Sequence, residues 1–333
     1  MAHPPVRLRP IVRAVSAATA VLAAVTVVAG CSSSPSASGP SSSSSVAAST
    51  TAAAASFPVT VNASNGKVTV KSAPQHIVSL SPTATEDLYA VGAGKQVVAV
   101  DQTSNYPSGV PVTSLSGLTP NLEAIVKYQP DLVVASQDSG GLVAGLTKLG
   151  VPVLIEPAAA TLDAAYAQIE QIGRATGHAD QAAQTVSGMK TKIAAAVKQA
   201  GNSHADLSYY WEISANPYYS ATSATFVGQI ASLFGLKNIA DKADKAADGG
   251  YPQLSQEYIV AAQPQLVFLS DNEASDGGQS PAVVAARPGW SGILAVKTRQ
   301  IVGLNDDEAS RWGPRLPELV AQIAQAVEKA SGK

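Results

Sequence analysis

Aromatic side chains make up only 5% of this 333-residue chain, yet Tyr209, Tyr210, Trp211, Tyr218, Tyr219 and Phe226 fall within one stretch of eighteen residues. Such a cluster offers π faces and phenolic hydroxyls, the means of gripping a bulky ligand rather than of breaking a bond in it. Strand alternation turns half of the Tyr209, Tyr210, Trp211 run into a core. Tyr218 and Tyr219 lie beyond that strand, after Asn216 and Pro217, in a loop where ligand contact is expected. A tyrosine pair can also ligate bare ferric iron, but adjacent tyrosines point apart and no His or carboxylate partner is evident nearby, so direct ligation is the lesser reading. Catalytic patterns are missing: there is no GxSxG elbow, and GAGK at residues 92–95 lacks the upstream Gly and the following Ser/Thr of a phosphate loop. It reads as a helix-ending turn. His76, His178 and His204 are scattered over strand, helix and loop, which argues against a histidine metal site. The chain is therefore expected to be no enzyme, with no metal or cofactor of its own.

The elements that must carry these side chains follow from periodicity. EAIVKYQPDLVVAS at residues 123–136 returns 134 residues later as EYIVAAQPQLVFLS at residues 257–270, with eight of fourteen positions identical and no gap. Each copy reads as an amphipathic helix, a Pro that ends it, and a buried Val/Leu strand. Two copies predict two α/β lobes, each with its own small sheet, and a cleft between them. Upstream, FPVTVNASNGKVTV reads as a hairpin turning at Asn65-Gly66 that caps the first lobe. Next come a buried strand at 77–80 and a helix opened by Thr83 and Glu86 in capping-box spacing and closed at Gly92. Further strands are predicted at 96–100 and 151–155. Residues 162–200 read as helix with hardly a break, Gly173, Gly177 and Gly188 being the weak points. A helical connector resists bending, so the lobes are expected to stay nearly fixed. The second lobe repeats the plan with a strand at 207–213, the aromatic loop and a helix at 224–234, and a last helix at 314–330 closes the chain.

The N-terminus carries Arg7, Arg9 and Arg13, an apolar run over residues 14–29 and the sequence VAGC, ending at Cys31. This is the pattern of a lipoprotein signal peptide, too short for a transmembrane helix, with Cys31 as lipid acceptor. It is the sole cysteine of the chain, so no disulfide within the mature protein is expected. Residues 32–56 are almost entirely Ser and Ala, a disordered tether with nothing to bury. Loss of the leader leaves 19 basic against 24 acidic side chains, a net charge near −5. Nucleic acid is not an expected partner.

PQHIVSLSPTATEDLYAVGAG, TSNYP at 103–107, NLEAIVKYQPDLVV, YPQLSQEYI at 251–259 and ASRWGPRL at 309–316 together resemble the ferric-siderophore and cobalamin substrate-binding proteins of ABC importers. The resemblance spans nearly all of residues 57–333. It implies the class III periplasmic-binding-protein fold of helical backbone type, two α/β lobes joined by one long helix. It further implies that Glu123 and Glu257, heading the duplicated helix, dock into arginine pockets of the permease. Like charges at equivalent points suit a two-fold symmetric partner, and the same carboxylates also suit the helix dipole. By the same resemblance Tyr106, Tyr219 and Tyr251 fall on aromatic ligand positions, and Asp307 and Arg311 on cleft positions. The last two, four residues apart, are equally an i,i+4 ion pair on a helical turn. Two tryptophans of the cobalamin binders align with Gly117 and Ser136 here, and the N-terminal hairpin is more typical of siderophore binders.

The expected architecture is α/β: two Rossmann-like lobes joined by a long α-helix, after a lipoprotein signal peptide and a disordered Ser/Ala tether. Its boundaries are 1–30 signal peptide, 31–56 lipidated cysteine and tether, 57–161 first lobe, 162–200 connector, 201–313 second lobe and 314–333 terminal helix, with the binding domain spanning 74–333. The expected function is that of a monomeric, lipid-anchored, extracytoplasmic receptor that captures a pre-formed metal chelate, ferric siderophore or corrinoid, for an ABC permease. An anchored enzyme or a sensor lipoprotein on the same two-lobed fold is the alternative.

Overall fold

The computed structural model describes residues 56–201, 204, 206–272 and 278–332. The signal peptide, Cys31 and nearly all of the tether lie outside the described residues. Among the described residues no helix is long and apolar enough to cross a membrane.

A hairpin, β1 (Val59–Ala63) and β2 (Gly66–Val70), opens the described chain. Ala63 pairs with Gly66, so the two loop residues are Ser64 and Asn65, one position earlier than the expected Asn65-Gly66 turn. The shift frees the Asn65 side chain, which donates from Nδ2 to the Val153 carbonyl at 3.0 Å and accepts from Ile155 N–H at 3.1 Å. The hairpin tip thus covers a strand edge that would otherwise present bare backbone groups.

The first lobe continues through β3 (Ile77–Leu80), α1 (Pro82–Ala90), β4 (Val97–Val100), α2 (Leu122–Val126), β5 (Leu132–Ala135), α3 (Leu142–Lys148) and β6 (Val153–Ile155). Its sheet is all parallel in the order β4-β3-β5-β6. Every residue of β3, β5 and β6 is buried, as expected of parallel strands covered on both faces. Two helices follow, α4 (Leu162–Thr176) and α5 (Ala179–Ala200). The expected single helix over 162–200 is thus two. Gly177 ends α4 at φ 85°, a left-handed conformation that costs glycine little, and His178 N–H reaches back to the Gly173 carbonyl at 2.7 Å. Only α5, 22 residues or about 33 Å long, is left to join the lobes, while α4 packs on β1 and α1.

The second lobe comprises β7 (Ser208–Ala215), β8 (Tyr218–Ser220), α6 (Phe226–Ser232), β9 (Lys237–Asn238), α7 (Gln256–Ala262), β10 (Leu266–Leu269), α8 (Pro281–Ala285), α9 (Leu294–Lys297), β11 (Ile301–Gly303) and α10 (Asp306–Ser310), and α11 (Leu316–Ala330) ends the chain. Parallel pairing of β9, β7, β10 and β11 repeats the strand order of the first lobe, with β8 added antiparallel to β7.

The duplication extends below the level of elements. Asn121 and Ser255 cap α2 and α7 through their side chains, and both helices lead into a left-handed residue, Gln129 and Gln263, each at φ 49°, just before a Pro. The next residue captures the start of the lobe's first strand in both copies: Asp131 accepts from the N–H groups of Gln75 and His76, and Gln265 from that of Ser208. One apolar core runs from the first lobe through α4, α5 and α11 into the second, including Ile169, Met189, Phe226, Phe268 and Val320.

Candidate functional site

In open parallel sheets ligands bind beyond the carboxyl ends of the strands. There, the chain after β3 (Ser81, Pro82), after β5 (Ser136, Gln137) and after β6 (Glu156, Pro157) faces Asp307, Ser310, Arg311 and Trp312 of the second lobe across a cavity of about 600 Å³. Pro82 and Ser136 also border a recess of about 180 Å³ in the first lobe. Ser310 and Trp312 also border one of about 200 Å³ in the second, with Trp211, Phe226 and Tyr251. The three spaces share lining residues and form one cleft; Trp312 borders the main cavity and the second-lobe recess, its indole packed edge-on to Phe226 at 5.7 Å.

A buried ion cluster closes the cleft at one end and ties the lobes together. The expected capping box of Thr83 and Glu86 does not form, because Ser81 caps α1 by accepting from Ala84 N–H. Glu86 is thereby free to turn inward. Its carboxylate accepts from Arg315 Nε at 2.8 Å and from one terminal nitrogen of each arginine, Arg315 Nη2 at 2.7 Å and Arg311 Nη1 at 2.9 Å. Arg311 also donates to Asn105 Oδ1 at 2.6 Å, the Thr103 carbonyl at 3.4 Å and Asp307 at 2.6 Å. Asn105 Nδ2 in turn donates to Asp307 Oδ2 at 2.9 Å. The loop that presents Asn105 is pinned by Asp101, which accepts from the hydroxyls of Thr103 at 2.9 Å and Ser104 at 2.6 Å.

Each expected contact residue has a definite place. Asp307 and Arg311 form an ion pair at 2.6 Å and both line the cavity of about 600 Å³, although Arg311 follows α10 in extended backbone rather than continuing its turn. Tyr106 is 44% exposed beside the cluster, with the Arg315 guanidinium 4.3 Å over its ring. Tyr251, also 44% exposed, lines the second-lobe recess. The pair on β8 divides. Tyr219 is 41% exposed at the strand's outer side, whereas Tyr218 packs 5.9 Å from Trp290 with Arg287 over its face. The structure therefore does not bring Tyr218 to the cleft; it closes the second lobe's core, where Arg287 makes a bidentate ion pair with buried Glu212 at 2.6 Å. Gly117 and Ser136 both border the first-lobe recess. A side chain at Gly117 would drive its Cβ into the Leu80 carbonyl oxygen, so an aromatic at that position would require the backbone to shift.

Sequence reasoning missed Glu86, Glu156 and Trp312. The last had a signal, a lone indole in the polar ASRWGPRL segment.

Two carboxyl groups here, Glu156 on the cleft wall and Asp87 buried near it, make no ion pair among the described residues. Asp87 is wholly buried and its pKa is pushed well above the carboxylate range by desolvation, then by the neighbouring charges of Glu86 and Glu156. Burial likewise raises Glu156 from 4.5 to about 8, against a smaller lowering by Arg174. In the unfolded chain Glu156 loses its proton near 4.5, while the folded chain holds it to about 8. Stability is therefore progressively lost as pH rises through that window and the loss is complete above it. Glu156→Gln should gain about 2 kcal/mol or more over wild type at pH 8 and nothing at pH 4, by urea unfolding. Equal offsets at both pH values would refute the assignment.

Glu123 and Glu257 sit in the first turns of α2 and α7, both exposed. A helix that feeds a parallel strand runs back along it, so both first turns lie toward the carboxyl ends of the strands, the side that carries the cleft. Hydrogen bonds from its own backbone and from Ser255 lower the pKa of Glu257.

A family model described as a periplasmic binding protein matches residues 77–308. An uncharacterised ABC transporter substrate-binding lipoprotein of Bacillus subtilis (strain 168), YvrC, is 34% identical over 280 residues, covering 81% of this chain and 86% of that protein. A cobalamin-binding protein of Halobacterium salinarum is 32% identical over 280 residues, covering 81% and 74%. Among solved structures, the periplasmic vitamin B12 binding protein BtuF of Vibrio cholerae superposes with a TM-score of 0.63 at 25% identity, over 78% of this chain and 99% of that one. A possible iron-binding periplasmic solute-binding protein from Staphylococcus epidermidis gives a TM-score of 0.66 at 26% identity, over 77% and 99%.

Proposed function

This chain belongs to the periplasmic binding protein family, and we propose that it serves as the substrate-binding component of an ABC importer for a metal chelate, corrinoid or ferric siderophore. One observation carries the reading: a cleft of about 600 Å³ opens at the carboxyl ends of both sheets and extends into two side recesses, with Trp312 lining both the cavity and the second-lobe recess. That is the size and lining of a small-molecule site. Relatives named for cobalamin and vitamin B12, and a structural neighbour described as iron-binding, support the choice of chelates. In this reading the cargo is a pre-formed chelate whose metal is already coordinated when it arrives.

Titration of the purified protein with cobalamin, haem and ferric hydroxamate, catecholate and carboxylate siderophores, followed by Trp fluorescence, tests the reading. One class should bind far more tightly than the rest. Tyr219→Ala and Tyr251→Ala should each weaken that complex by about 1 to 3 kcal/mol if the rings act as buried anchors once ligand covers them. Unchanged titrations for both variants would move the site elsewhere.

Attachment to the outer face of the cell membrane would come from a lipid on Cys31, and the receptor would act as a monomer. Cys31→Ala is expected to leave the protein unprocessed or released, because the Ser/Ala tether has no affinity for a bilayer. Wild-type retention of the variant in washed membranes would disprove the anchor.

A further inference from the structure

The positive charge of the cleft is already committed. Among the described residues Arg311 is the one Lys or Arg lining the three spaces, and it gives its terminal nitrogens to Glu86, Asn105, Thr103 and Asp307. Arg315, behind it, is held by Glu86 and lies 3.5 Å from Glu308. Three carboxyl groups, Asp101, Glu156 and Asp307, line the same spaces. Two of them have partners within the protein. Glu156 differs: it is 8% exposed, its backbone is fixed by Glu156 N–H donating to the Ala135 carbonyl at 2.8 Å, and its Oε1 is buried with no hydrogen-bond partner.

A buried polar atom left unpaired costs about 1 to 3 kcal/mol, which a ligand that completes its hydrogen bonds recovers. The groups facing Glu156 are Asp87 from α1, Arg174 from α4, and Asp307 and Arg311 across the cleft. None makes an ion pair with it among the described residues. Resting on the chelate-binding reading above, we infer that Glu156 is a specificity-determining residue of this cleft: its carboxyl group pairs with an uncharged carboxamide of the ligand and turns away chelates whose outer oxygens are anionic.

A neutral carboxylic acid offers one O–H donor and one carbonyl acceptor, and a primary carboxamide presents the complement of both. A ligand carboxylate or catecholate at the same point meets either a protonated acid that matches only one of its oxygens or, once ionised, a like charge. No uncommitted cation on the lining residues offsets that repulsion. The elevated pKa of Glu156, about 8, keeps the acid form at neutral pH.

The test uses the full chain in detergent with three probes: cyanocobalamin, whose rim carries primary carboxamides, a ferric tris-hydroxamate, and an anionic ferric tris-catecholate. Cyanocobalamin should bind at least about 100-fold more tightly than the tris-catecholate at pH 7. Its affinity should fall about tenfold between pH 7 and pH 9.5 as Glu156 ionises and loses its donor. Glu156→Ala should weaken cyanocobalamin about tenfold at pH 7, whereas Glu156→Gln, itself an uncharged donor and acceptor, should stay within about threefold and lose the pH dependence. Tris-catecholate or tris-hydroxamate binding as tightly as cyanocobalamin would overturn the inference and leave the chelate-binding reading standing. So would a Glu156→Ala protein that folds and binds cyanocobalamin as wild type does. Failure of all three probes to bind wild type would overturn both.

Discussion

Glu86→Ala is expected to cost this protein about 3 to 5 kcal/mol of stability, the largest single effect foreseen here. The side chain is 1% exposed and faces two guanidinium groups that are 9% and 14% exposed. Truncation leaves two nearly buried cations with fewer partners, and such an uncompensated charge costs more than the intact cluster contributes. Arg311 keeps Asp307 and Asn105, and Arg315 keeps the longer contact to Glu308 at 3.5 Å and the face of Tyr106. Glu86→Gln should be milder, since the amide retains one acceptor oxygen but adds an NH2 facing the guanidiniums. Because the cluster links α1 and the 103–105 loop of the first lobe with Arg311 of the second and Arg315 at the head of α11, hydrogen exchange should rise on both sides of the cleft. The comparison variant is Glu86→Met combined with Arg311→Met and Arg315→Leu. Its stability should lie well above that of Glu86→Ala, because removing all the buried charges removes their desolvation cost too. An unfolding midpoint for Glu86→Ala equal to wild type would show that the cluster is solvated and carries no cross-lobe link.

The second expectation concerns transport. Replacing both Glu123 and Glu257 by Gln should leave the fold and ligand affinity nearly intact, because exposed charges contribute little to stability. Uptake should nevertheless fall. If each carboxylate meets a desolvated arginine on the permease, its loss costs about 2 to 5 kcal/mol in complex formation, and Glu→Lys at both positions should be worse. Single variants should retain part of the activity through the other lobe. The structure lends this expectation a geometric basis, since both side chains sit in first turns of equivalent helices, each capped by the residue two positions earlier. Uptake of the identified chelate by cells carrying the double variant, with affinity measured in parallel on purified protein, decides the matter. Normal uptake would remove the docking role, and lost affinity would place the glutamates under the cleft instead.

Much of the fold was legible because its signals are local. A fourteen-residue repeat with helical then strand periodicity dictates two similar lobes, and buried Val/Leu runs of four residues dictate parallel strands covered on both faces. Gly177 was legible as a weak point in a helical stretch, though not that it would stop one helix and start another. The chemistry of the cleft was less legible. Whether Tyr218 or Tyr219 faces outward depends on the register of β8 against β7, where pairing passes from Glu212–Ser220 to Ser214–Tyr219 with a skipped residue. An alternating pattern reports that two neighbours point apart, not which of them meets solvent.

Thr83 and Glu86 fit a capping box by spacing, yet Ser81 won the cap and Glu86 found arginines 225 and 229 residues away. That choice could not be read along the chain. Backbone periodicity and capping depend on residues a few positions apart, so the sequence by itself determined the elements and their duplication. The partner of a buried charge depends on how two lobes come together, through one continuous apolar core and the desolvation of whatever that core encloses, so only the tertiary structure decided which carboxyl groups are paired and which one is left facing the cleft.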